Sequence, residues 1–164
     1  MATKMVTKKN YAKRDSYALA FRMIDDALKF GCPLQAITIE ESILTDRLSS
    51  TLNVGKENAK PCDTLGEVLH KWKPRNSRTS PDPNARLFDE EMTILFPRLD
   101  TWRRERNALL HGLAKSGQGE QPEIEASEFL DRANNAATEG FRLVKTVKTW
   151  SSKQIRMAKK GGMK

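Results

Sequence analysis

Groups that exchange a proton near neutral pH are scarce in this chain of 164 residues: two histidines, His70 and His111, and two cysteines, Cys32 and Cys62. They are too few and too scattered for a paired CxxC or a Cys/His zinc cage, so the expectation is free thiols, no structural metal and no cofactor. The segment in which a histidine keeps polar company is Trp102-Arg103-Arg104-Glu105-Arg106-Asn107-Ala108-Leu109-Leu110-His111-Gly112. An imidazole there can take or give a proton, and a guanidinium can bind an anion.

Spaced at roughly 100° per residue, Leu95, Leu99, Trp102, Leu109, Leu110 and Leu113 make one apolar arc with Arg106 near its centre. An unpaired charge there costs several kcal/mol, so Arg106 needs a buried carboxylate partner, a cleft or a second subunit. Asn107 and His111 lie one above the other just beyond an edge of the arc, with Asp100 and Arg104 on the same flank.

Helices must position these groups. Tyr17, Ala20, Phe21, Ile24, Ala27 and Leu28 recur at three and four, predicting a helix from Ser16 to Phe30 that Asp15 caps and Gly31 and Pro33 stop. A second helix is expected from about Leu34 to Leu52, with Ile37, Leu44, Leu48 and Leu52 as its stripe. A short third one follows Asp63, taken as its cap, and runs through Val68, Leu69 and Trp72. Residues 53–61, 73–85 and 117–122 read as connections. Pro97 should kink or restart the fourth helix, leaving Arg98 to Leu113 continuous. The last begins near Glu123 and keeps its period through Trp150. No window alternates as a strand does, so the fold expected is all-α, an up-and-down four-helix bundle with one short extra helix.

The net charge of +8 is unevenly spread. Residues 1–14 carry +5 and residues 142–164 carry +8, which leaves −5 on the rest of the chain. Basic arms at residues 1–14 and 152–164 flanking a bundle at 15–151 are the expected organisation, and an up-and-down path would bring both arms out at one end. Lysine-rich ends serve either solubility or phosphate binding. No stretch approaches the roughly 20 apolar residues of a membrane span, and the basic amino terminus lacks an apolar signal region, so a cytoplasmic protein is expected.

Arg106-Asn107-x-x-x-His111 resembles the signature of the HEPN superfamily, in which an arginine, a polar residue and a histidine follow one another on a late helix of a bundle. Leu99-Asp100-x-Trp102 ahead of it, Glu40-Glu41-x-Ile43-Leu44-x-x-Arg47-Leu48 on the second helix and Thr64-Leu65-Gly66 before the loop add to the likeness, which spans roughly residues 12–150. The resemblance implies a metal-independent endoribonuclease acting as a homodimer, a toxin or antiviral defence effector that an antitoxin or a larger complex would accompany. Carried onto this chain, His111 removes the proton from an RNA 2′-hydroxyl, Arg106 offsets charge on the phosphoryl oxygens, and Asn107 orients substrate or holds the imidazole. Arg103 and Arg104 would contact substrate. Because Arg106 and His111 stand about 140° apart on a regular helix, one chain alone would hardly bring both to one phosphate, and two facing copies would.

Glu40 and Glu41 are candidate partners of Arg106, although an internal pair of Glu40 with Arg47 is the favoured role for Glu40. His70 could stack on a base, but its place at the end of a short helix keeps it out of the expected site. Gly55-Lys56 lacks the upstream glycine and the following hydroxyl of a P-loop, so nucleotide hydrolysis has no support. Two alternatives stand beside the nuclease: a catalytically inactive HEPN adaptor or neutralising partner, and a nucleic-acid-binding protein that works through its basic ends.

Overall fold

A computed structural model describes residues 2–54, 60, 63–72, 89–115 and 125–161. They form five helices in chain order: α1 (Ala2–Lys29), α2 (Pro33–Val54), α3 (Leu65–Trp72), α4 (Asp89–Lys115) and α5 (Ala126–Gly161). The fold is the expected all-α bundle with α3 as its short extra member. The expected connections at 73–85 and 117–122 lie outside the described residues, as does Cys62, while Cys32 is a free, exposed thiol.

α2 and α5 are the central pair, and they run parallel: Glu40 lies against Gly140, and Thr51 hydrogen-bonds Ser151 through their hydroxyls at 2.7 Å. Ile37, Leu44, Leu48 and Leu52 of α2 and Leu143, Val144 and Val147 of α5 are all fully buried in this seam. α1 flanks it in the opposite direction, with Tyr17 against Asp46 and Phe21 5.9 Å from Phe141. α4 flanks it on the other side, also antiparallel to α5, with Glu91 paired to Lys153 and Glu105 to Arg132. α3 packs on α2 and α4, and its Trp72 meets Trp150 of α5 edge-on at 5.3 Å.

Helix limits depart from expectation in three places. α1 does not start at Asp15, because nothing between Ala2 and Arg14 breaks a helix. Asp15 is exposed mid-helix beside Arg14. Its other end is as expected: Gly31 takes φ 69°, Cys32 N–H donates to Ala27 O and Gly31 N–H to Leu28 O, a Schellman closure, and Pro33 opens α2 at once. Pro97 leaves α4 uninterrupted and is exposed within it, as is Thr93 one turn before. α3 is capped by Thr64, not Asp63: Thr64 N–H donates to Glu67 Oε2 at 2.6 Å and Glu67 N–H to Thr64 Oγ1 at 3.3 Å, a reciprocal capping box. Asp63 instead accepts from Lys60 N–H and from Lys71.

Residues 2–14 and 152–161 continue α1 and α5. Both emerge at the carboxyl end of α2, where Lys13 pairs with Asp46 at 3.0 Å and Ser151 with Thr51. The shared end is as an up-and-down path requires. Among the described residues no helix is long and apolar enough to cross a membrane.

Candidate functional site

Between α2, the start of α3 and the second half of α4 lies a groove of about 920 Å³. Met92, Leu95, Leu99, Trp102 and Leu109 anchor α4 in the core, so the helix presents its next face to α2. That face supplies Arg103, Arg106, Asn107 and His111 to the groove lining. Arg104 points away and is largely exposed, paired with Asp100 at 2.8 Å. Of the two expected substrate contacts, Arg103 lines the groove and Arg104, one position further round the helix, does not.

Of the three alternatives that its place in the apolar arc allowed, Arg106 takes two, a carboxylate partner and a cleft. Its guanidinium forms an ion pair with Glu41 and donates from the other terminal nitrogen to Asn107 Oδ1 at 2.7 Å, and it also opens onto the groove. Its Nε is buried without a hydrogen-bond partner. Asn107 thus holds the arginine. His111 is exposed on the groove wall one helical turn beyond Asn107. Arg106 and His111 of one chain line the same groove.

The two adjacent glutamates separate completely. Glu41 is half-buried beside Arg106; burial raises its carboxyl above the ordinary range, and the guanidinium opposes that shift. Glu40 is fully buried and neither of its oxygens has a partner. Desolvation lifts it to about 8, so the carboxyl stays protonated at neutral pH. The expected pair of Glu40 with Arg47 does not form. Arg47 is carried by α2 toward α1 instead, where its guanidinium stacks over the Tyr17 ring at 4.1 Å.

Arg103 reaches across the first turn of α3 and is fixed from its own helix by Asp100 at 2.9 Å, which the arginine holds charged despite its partial burial. A Cβ on Gly66 would stand 3.6 Å from the Arg103 guanidinium, so this turn rests against the groove cation. The floor is a line that apolar patterning does not single out. Thr38, Ser42, Thr45, Ser49 and Asn53 face the groove at spacings of four, three, four and four along α2. That period is readable in the sequence, but it is polar and escapes a search for apolar stripes. The groove extends past Lys60 toward the end of the bundle where the basic helix ends emerge.

His70 is exposed on α3 and does not line the groove. Among the described residues no three His, Cys, Asp or Glu side chains come together as metal ligands. The arrangement offers a guanidinium, a second cation on the wall, an imidazole and a hydroxyl-lined floor, a set suited to holding a phosphodiester and moving a proton beside it. No protein-family model, curated protein or solved structure matches the chain.

Proposed function

We propose that the chain is a HEPN-type, metal-independent endoribonuclease. The observation that supports this most is that Arg106, Asn107 and His111 line one groove together with Arg103. His111 takes the proton of an RNA 2′-hydroxyl, the oxygen attacks the adjacent phosphorus, and the 5′-oxygen leaves, giving a 2′,3′-cyclic phosphate end. Arg106 and Arg103 offset the charge that builds on the non-bridging oxygens. The leaving oxygen needs a proton in its turn. A second copy facing the groove would supply one from its own imidazole, and this is the chemical ground for the homodimer. Cellular roles as a toxin or defence effector, with an antitoxin or larger complex as partner, belong to the same proposal and follow from the resemblance.

His111→Ala tests it. The ring is exposed and packs little, so folding by circular dichroism should be unchanged while RNA turnover falls by about 10² or more. Cleavage by the wild type should persist in EDTA and leave cyclic phosphate ends. Wild-type turnover by His111→Ala removes the imidazole from the mechanism, and a wild type that binds RNA without cleaving it points to the adaptor.

A further inference from the structure

A guanidinium receives a phosphate chiefly through its two terminal nitrogens, and in Arg106 each of them already donates to a protein acceptor. One terminal nitrogen is taken by the Glu41 carboxylate from α2 and the other by Asn107 Oδ1, while Nε is buried and faces no acceptor. The other groove cation on α4 is held differently: Arg103 is bound from its own helix by Asp100, which is not among the lining residues, so its pairing leaves the groove side free of a carboxylate. Asp46, the other lining carboxylate, is held by Lys13 and Tyr17 of α1 and not by a groove cation. Among the described residues, Glu41 is thus the single lining carboxylate that sits on a lining cation.

Glu41 accepts from one terminal nitrogen of Arg106 through a single carboxylate oxygen, a charge-assisted contact that a non-bridging phosphodiester oxygen can make in its place. We propose that Glu41 occupies the place of the substrate phosphate on Arg106, so that RNA binds by exchanging its phosphodiester for this carboxylate. This rests on the reading of the groove as an RNA site. It makes Glu41 a positioning residue with two effects: it keeps the guanidinium aimed into the groove when no ligand is present, and it sets a threshold that weak anions do not cross. Small anions such as inorganic phosphate must displace Glu41 with no other contact to compensate, whereas an RNA strand also gains Arg103 and the hydroxyl floor. The exchange selects polyanions over free phosphate.

Binding of a 2′-O-methyl oligoribonucleotide, which cannot be cleaved, separates this from the catalytic claim. Glu41→Gln, which removes the charge and keeps the shape, should tighten that binding by roughly two- to fivefold, the factor associated with releasing a partly exposed ion pair. Glu41→Asp, one methylene shorter, should give a smaller gain. The gain must vanish in an Arg106→Ala background, because only the competition for that guanidinium is removed. It must also exceed the effect of Asp46→Asn, which removes the same charge from the same groove without touching Arg106. Overturning results are equal or weaker binding by Glu41→Gln, a gain that survives Arg106→Ala, a gain matched by Asp46→Asn, or no binding of the oligonucleotide by any variant. If the wild type binds and the cycle behaves as expected but unmodified RNA is not cleaved, the exchange stands and the nuclease reading falls.

Discussion

Glu40 is the residue whose environment departs furthest from that of an ordinary side chain of its type. Its carboxyl is lodged among α2, α4 and α5 with no hydrogen-bond partner, and it titrates at about 8 instead of near 4.5. In the unfolded chain the same group has already given up its proton by neutral pH. The folded state therefore binds more protons than the unfolded one across the interval from about 4.5 to about 8, and stability contributed by this residue falls as pH rises through it. The expected slope is about 1.4 kcal/mol per pH unit. Glu40→Gln carries no titrating group, so its stability relative to wild type should grow from pH 5 to pH 8, as urea denaturation at each pH would show. Equal pH profiles would mean that Glu40 is ionised in the fold. The acidic pair on α2 also marks where reading by residue stops. Periodicity puts Glu40 and Glu41 in or beside one broad apolar arc, but which of them meets Arg106 is decided by the side on which α4 packs, and that is tertiary information. The same holds for Arg47: its ring partner, Tyr17, lies on a different helix.

At the scale of elements, apolar spacing was the legible part. The stripe Ile37, Leu44, Leu48 and Leu52 is buried throughout, and Arg106, near the centre of the α4 arc, has the carboxylate partner that such a place calls for. Helix limits were less legible because they depend on what is absent. A lysine-rich run without glycine or proline simply continues α1 backward past Asp15, and an isolated exposed proline is tolerated in α4. The start of α3 turned on a choice between two neighbouring caps, settled by Glu67 standing three residues after Thr64. Thr64→Ala should cost about 1 kcal/mol in urea denaturation, and because Gly66 in the same turn rests on Arg103, RNA affinity should fall along with stability. At the contact of α2 with α5, a methyl group at position 140 would run into the Glu40 carboxyl and come within 2.8 Å of Trp102 Nε1, the nitrogen that donates to Ala136 O. Gly140→Ala is expected to destabilise by about 1–3 kcal/mol, measured by thermal melting, with the change felt in α4 through Trp102.

Over the whole molecule, charge is arranged along one axis. Both basic helix ends leave the bundle beside the carboxyl end of α2, and the groove opens toward them past Lys60. A polyanion arriving at that end would be guided along α2 toward Arg106 and His111. Replacing Lys8, Lys9, Arg156 and Lys159 by glutamine should weaken binding of single-stranded RNA and flatten its salt dependence by about 0.7 in log–log slope for each phosphate no longer neutralised. An unchanged slope from salt titrations would assign the ends to solubility alone. The parallel seam of α2 with α5 bears on the order of events during synthesis. The hydroxyls it joins, on Thr51 and Ser151, are 100 positions apart in the chain. A ribosome has therefore released the entire Arg106-to-His111 segment well before α2 gains its principal packing partner. Long-range closure of this kind is slow for a helical protein, and the groove has no firm floor until the last helix is in place. A nascent or truncated chain lacking α5 would carry every groove residue and hold them in no fixed relation to one another.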